Sequence, residues 1–169
     1  MIESRADPYE AARLRWATPR DADALRRLWA EAHDVGDDEP AAAGSDMDAW
    51  LAHGGAALIE DAAGRPLCAV RWREQGDGWR VDRIATLPEA RGRAYGRWLM
   101  TKLEALAIQR NVPTLSLTLV EPGPDLEPYY ERLGYRAQDE HDRPADGPRT
   151  VEMSKRVGGV WQRQPGSRP

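Results

Sequence analysis

The sequence predicts a single α/β domain whose mixed, mostly antiparallel sheet of about six or seven strands is flanked by helices. Three observations lead there. Short runs with two-residue alternation recur along the chain between runs whose apolar residues keep helical spacing. Trp79–Thr86, a glycine-bearing loop, a helical run and Thr114–Val120 follow one another as strand, helix and strand, the connection that parallel pairing requires. At 169 residues the chain suits one domain.

Residues 1–12 lack periodicity and form a loose lead-in; the domain proper spans 13–157. Leu14 and Trp16 alternate with arginines, which suits a strand with one buried face. Thr18-Pro19-Arg20-Asp21 then supplies a capping hydroxyl, proline at the first helical position and an acid two residues later, so a helix starts there and ends near His33. Leu25, Leu28, Trp29 and Ala32 make its buried stripe. The run Glu31–Asp48 carries Asp34, Asp37, Asp38, Glu39, Asp46 and Asp48, and reads either as a solvated acidic loop or as the border of a site for a cationic substrate. Ser45–Asp48 caps a short helix through Trp50 and Leu51.

Ala56–Glu60, Pro66–Trp72 and Trp79–Thr86 read as three antiparallel strands. A helix closing near Arg110 follows, burying Leu99, Leu103, Leu106 and Ala107; Asn111 and Pro113 stop it before the strand Thr114–Val120. A short helix from about Leu126 to Leu133 is capped by Gly134. Tyr135–Ala137 and Thr150–Ser154 are the last strands, and the Gly-, Arg-, Pro- and Gln-rich stretch 158–169 reads as a disordered tail.

The chemistry centres on Arg91-Gly92-Arg93-Ala94-Tyr95-Gly96-Arg97, between a strand and a helix. Amides at a helix start point outward and the helix dipole favours negative charge there, so the expected ligand carries phosphate. Arg91, Arg93 and Arg97 add cationic donors. Gly92 and Gly96 are four residues apart with Arg97 following, which fits neither a Walker A loop nor a dinucleotide fingerprint. Ala94 fits the loop only if its φ is negative.

Arg91, Ala94 and Gly96 instead fill the pattern Arg/Gln-x-x-Gly/Ala-x-Gly/Ala, and the string from Ile84 to Met100 resembles the acyl-CoA pyrophosphate loop of the GNAT superfamily of N-acetyltransferases. Tyr130-Glu131-Arg132-Leu133-Gly134-Tyr135 is similar to that family's Tyr-x-x-x-Gly-Phe/Tyr ending. The two motifs occur in the family's order, and the likeness covers roughly residues 12 to 156. It implies acetyl-CoA as co-substrate, held by residues 91 to 97 and, through the main chain of Ile84, Ala85 and Thr86, paired like an added strand. An amide near Thr86 or Leu87 would face the thioester oxygen. Tyr130 would protonate the departing thiolate, since a phenol of pKa about 10 stays protonated at neutral pH. Its neighbour Tyr129 points elsewhere on a helix. The family's asparagine seven residues before that tyrosine is replaced by Gly123, between two prolines.

A general base is needed because an alkylamine is mostly protonated at pH 7. Asp82, Glu74, Asp37, Glu39 and His33 are candidates; two-residue alternation puts Asp82 on the face of Ile84 and Thr86, which favours it, while a salt bridge to a nearby arginine is its structural alternative. The implied reaction is direct transfer of acetyl to a primary amine, of a small molecule or a peptide. A non-catalytic acyl-CoA sensor of the same fold is the alternative.

Net charge −4 argues against general nucleic-acid affinity, and no apolar run approaches the roughly 18 residues of a membrane span. The polar, acid-bearing start is unlike a secretory signal, so a cytoplasmic enzyme is expected. Cys68, the single cysteine, reads as a buried core residue. His33, His53 and His141 lack zinc spacing, so no metal is implied. Nothing in the sequence requires or excludes a homodimer.

Overall fold

The structure, a computed structural model, describes residues 12–32, 54–120, 126–138 and 150–158. Most of the acidic run 31–48, the short helix expected at 45–51, Gly123, the three histidines and nearly all of the tail lie outside the described residues. Seven strands, β1 (Arg13–Trp16), β2 (Gly54–Glu60), β3 (Pro66–Gln75), β4 (Gly78–Thr86), β5 (Thr114–Val120), β6 (Arg136–Ala137) and β7 (Thr150–Arg156), form one sheet in the order β1-β2-β3-β4-β5-β7-β6. Helices α1 (Ala22–Ala32), α2 (Tyr95–Gln109) and α3 (Glu127–Arg132) pack on it. Among the described strands only β4 and β5 pair in parallel, as the strand–helix–strand order requires.

The first helix begins with a 3₁₀ turn, Pro19–Asp21. The Asp21 carboxylate accepts from the Thr18 amide at 2.7 Å and the Thr18 hydroxyl at 3.0 Å, which fixes the chain's entry into α1. Arg15 reaches across from β1 to the same carboxylate at 2.9 and 2.7 Å, and with Arg13 also binds buried Glu60. The Arg15 hydrogen bonds outweigh burial and hold Asp21 at about 2. At Glu60, burial alone would raise the pKa, but hydrogen bonds from Arg15 and Arg13 leave it below the usual range.

All four expected stripe residues of α1 are buried, as are Leu99, Met100, Leu103 and Ala107 of α2; Leu106 is half-buried. Each such aliphatic side chain contributes about 1.5–3 kcal/mol, so these two stripes clamp the sheet from opposite sides. In a chain without phenylalanine, tryptophan fills the space between: Trp72 stacks on Trp79 with centroids 5.6 Å apart and meets the edge of Trp16 at 6.0 Å.

Two irregularities of β4 position everything that follows. Against β3, Arg83 stands opposite Arg71 but Val81 opposite Trp72, so Asp82 is an extra residue, a β-bulge. A bulge resets side-chain alternation, and the expectation that Asp82 shares a face with Ile84 and Thr86 is overturned. Ile84 points to α2, its Cδ1 3.9 Å from where a Gly96 Cβ would stand, whereas Asp82 binds Arg71, which lies over Trp29 of α1. The second irregularity is that β4 leaves β5. Their pairing runs from Trp79–Leu115 to Val81–Leu117 and stops, while β4 stays bonded to β3 up to Thr86 and β5 to β7 up to Val120. A wedge therefore opens between two strands that each keep one free edge.

Candidate functional site

The wedge has a chemical lining on both faces of the sheet. On its α2 side, β4 runs through Leu87 and a 3₁₀ turn, Pro88–Ala90, into the loop Arg91–Ala94 and then α2. Gly92 (φ 78°) and Ala94 (φ 58°) both take the left-handed conformation. For Ala94 this contradicts the negative φ expected from its side chain and costs about 1 kcal/mol. The result is a helix start with its amides turned outward: no side chain caps α2, no acid stands in its first turn, and the amides of residues 95 to 97 have no carbonyl a turn before them in the helix.

The three arginines divide. Arg91 donates to the last carbonyl of α1, Ala32, at 3.1 Å and more loosely to Thr86 at 3.4 Å, so it ties the loop to the fold rather than standing free for an anion. Arg93 and Arg97 are exposed, with no carboxylate partner among the described residues. Arg97 joins Ala94, Trp98 and Thr101 around an open hollow of about 480 Å³. Trp98 and Thr101 were not singled out from sequence; an indole one helical turn into α2 is the signal that could have found them.

The free edge of β4 carries Ile84, Ala85 and Thr86, all half-buried. Asp82 is exposed as a residue, yet its side chain is only 19% exposed, so its openness belongs to the main chain. Main-chain groups thus face the wedge where the strands part. An extended chain bearing amides would satisfy them as a strand does.

Beneath this edge lie two phenols from α3. Tyr130 is buried, its ring edge-on to Tyr129 at 5.1 Å and to Tyr135 at 5.8 Å. Burial pushes its pKa up, and Tyr129 and Cys68 act in the same sense, which places its phenol within electrostatic reach of Cys68. Cys68 in turn meets the Thr86 hydroxyl at 3.1 Å, at the end of the open edge. No hydrogen bond to the Tyr130 hydroxyl occurs among the described residues, although it is not a sealed group: Trp29 Nε1 alone is both sealed and unpartnered there. The phenol therefore keeps its proton at neutral pH and has an unused donor.

Tyr129 does not point elsewhere. Its hydroxyl lies 3.6 Å from the position a Gly96 Cβ would take, directly over the start of α2. A helix of six residues beside a tight corner turns both adjacent tyrosines toward the wedge, which spacing alone misses. Burial also removes Cys68 from consideration as a nucleophile, pushing its thiol up to about 11.

On the α1 side the wedge is cationic. Arg71, 8% exposed, grips both oxygens of Asp82 at 3.2 and 2.7 Å. Arg71 and Arg83 lie over the Trp29 indole at 5.3 and 5.7 Å. Sequence reasoning passed over both arginines, though an arginine inside the buried run Leu67–Trp72 is a visible signal. Glu74 sits opposite Trp79, at the closed end of β4, and Asp37, Glu39 and His33 lie outside the described residues. No cluster that could hold a metal occurs among the described residues, and no helix there is long and apolar enough to cross a membrane.

Known proteins share this architecture. A family model described as the acetyltransferase (GNAT) family matches residues 9–135. Among solved structures, the ribosomal-protein-S18-alanine N-acetyltransferase of Escherichia coli superimposes with TM-score 0.72 at 17% identity, covering 90% of this chain and 97% of its own. Nourseothricin acetyltransferase gives 0.65 at 20% identity, covering 87% and 99%. The PaiA N-acetyltransferase of Thermoplasma acidophilum, solved with coenzyme A, gives 0.67 at 11% identity, covering 86% and 99%. No curated protein matches the chain.

Proposed function

Because the chain belongs to the GNAT family of acetyltransferases, and with it to a class of enzymes acting on amines, we propose that it moves the acetyl group of acetyl-CoA directly to a primary amine. The parting of β4 from β5 beside an uncapped helix start carries this reading. Outward amides of residues 92 to 97, with Arg93 and Arg97, suit the pyrophosphate; the hollow at Trp98 suits the rest of the nucleotide. The pantetheine arm then runs along Ile84–Thr86 as a surrogate strand.

In the reaction the amine nitrogen attacks the thioester carbon, the carbonyl oxygen takes up negative charge, and the carbon–sulfur bond breaks as the amide forms. An amide near Thr86 or Leu87 stabilises the oxyanion. Tyr130 gives its proton to the leaving thiolate, or a hydrogen bond as charge develops there. The amine must first lose a proton. Asp82 is the described carboxylate at the parting and remains our assignment, although a proton taken up there competes with its ion pair to Arg71. The acidic run around Asp37, Asp38 and Glu39 would draw a cationic amine toward the site.

Neighbours named for ribosomal protein S18 alanine and for nourseothricin share one fold, so fold leaves the acceptor open. The deciding experiment is an amine panel with acetyl-CoA, scored by CoA release and by product mass. Acetylation of at least one amine class is expected; CoA binding without any acetylated product would return the chain to the sensor alternative.

A further inference from the structure

Four described arginines are buried or half-buried: Arg15, Arg71, Arg80 and Arg83. Three are neutralised, Arg15 by Asp21 and Glu60, Arg71 by Asp82, and Arg80 by Glu152 at 3.7 Å with Thr118 beside it. Among the described residues Arg83 has no carboxylate and no hydrogen bond, only the face of Trp29 at 5.7 Å. A half-buried guanidinium gives up part of its hydration and ordinarily recovers it from an anion. Among the described residues nothing in the neighbourhood supplies one. Arg71 consumes the charge of Asp82, and Arg91 adds a further cation where it meets the end of α1, at Ala32. The indole under Arg83 also bears the one sealed, unpartnered side-chain donor among the described residues, Nε1 of Trp29.

Position gives this spare cation a meaning. Arg83 immediately precedes Ile84–Thr86 but faces α1, because regular alternation from Arg83 to Ile84 puts the two on opposite faces of the sheet. The phosphate loop and both phenols occupy the α2 side. A thioester lying along the β4 edge therefore meets its acceptor from the α1 side, over Arg83.

We propose that the acceptor amine also carries a carboxylate, and that Arg83 binds it, with Trp29 as the platform beneath the guanidinium. The acceptor class is then amino acids and other amines bearing an acid group, rather than simple polyamines. This rests on the acetyltransferase reading and names its substrate class. A bidentate guanidinium–carboxylate contact fixes the amine's direction as well as its affinity, which suits a reaction that needs nitrogen aimed at one carbon.

The test compares amino acids with their carboxamides, which keep the amine and lose the charge. Wild type is expected to favour the acids in kcat/KM by about ten- to a hundredfold, the range for a hydrogen bond to a charged group. Arg83→Gln should remove that preference through KM for the acid, with the carboxamides and acetyl-CoA little changed; Arg83→Lys should restore part of it. Equal use of acids and carboxamides by wild type would overturn the proposal and needs no variant to read. Should no amine be acetylated, the enzyme reading fails separately, and calorimetry with N-acetyl amino acids and their carboxamides in the presence of CoA reads the site alone. Tighter binding of the acids, lost in Arg83→Gln, supports the carboxylate site; equal binding sinks it.

Discussion

The corner where β1, β2 and α1 meet and the wedge between β4 and β5 are built from the same residue types in opposite conditions. At the corner the buried acids are answered: Glu60 by Arg13 and Arg15, and Asp21 by Arg15 and the Thr18 amide. At the wedge, among the described residues, groups are left open: a helix start without a side-chain cap, a strand edge without a partner, a phenol without a hydrogen bond and a half-buried arginine without an acid. Folded chains rarely leave polar groups unmet, so where several gather a ligand is the missing partner. The corner holds the fold; on our proposal the wedge takes acetyl-CoA and an amine.

Substitutions at the wedge should alter ligand handling and spare stability, and those at the corner should do the reverse. The largest effect is expected from Tyr130→Phe: a loss of about 10²- to 10⁴-fold in single-turnover rate, with melting temperature nearly unchanged because the hydroxyl has no hydrogen-bond partner to lose among the described residues. Tyr129→Phe separates the two phenols. Since the Tyr129 hydroxyl overlies Gly96, its loss should appear in the affinity for acetyl-CoA and leave the single-turnover rate at saturation close to wild type. If Tyr129→Phe instead shows the rate loss and Tyr130→Phe does not, the roles are exchanged.

Next in size is the loop. CoA at about a hundred times its Kd should stabilise wild type by about 2.7 kcal/mol, and Gly96→Asp should abolish this shift by placing a like charge beside the phosphates. The Gly96 backbone is not in the left-handed region and a Cβ there meets nothing closer than 3.6 Å, so the variant should fold. Normal CoA binding by folded Gly96→Asp, read by thermal shift, would refute the loop assignment.

At the corner, Asp21→Asn should cost about 2 kcal/mol in denaturant unfolding at pH 7 and leave kinetic constants alone, the size following from a carboxyl held at about 2 against an ordinary 3.8. The sign follows from the lowered value. This contribution is full above the unfolded pKa and fades as pH falls from 3.8 toward about 2, so wild type and Asp21→Asn should converge in stability at the acid end. A constant difference down to that pH would mean the carboxylate's charge is not what stabilises.

The smallest effect tests the strain at Ala94. Ala94→Gly removes a left-handed alanine worth about 1 kcal/mol, partly offset by the greater freedom of glycine in the unfolded chain. A net gain of a few tenths of a kcal/mol in chemical denaturation is expected, and a clear loss would mean the loop is not strained there.

The sequence by itself determined most of the described elements and the place of the glycine loop between β4 and α2. Apolar spacing marks α1 and α2, alternation marks β3 to β5, and Thr18–Asp21 caps the first helix, because these signals act over neighbours in the chain. Arg91–Arg97 was legible as a strand-to-helix connection for the same reason, since glycine spacing is a local pattern; its role toward a ligand is our proposal. Only the tertiary structure decided how β4 behaves. One extra residue at Asp82 reverses which face its carboxylate meets, and the departure of β4 from β5 depends on strands and helices distant in sequence. The same holds for Ala94, whose backbone is bent against its own preference by the elements on either side, and for Arg83, whose lack of an acid among the described residues shows only once the other described half-buried arginines have found theirs. Alternation and propensity are nearest-neighbour rules, while a bulge, a parted edge or a missing counter-charge is a property of packing between segments.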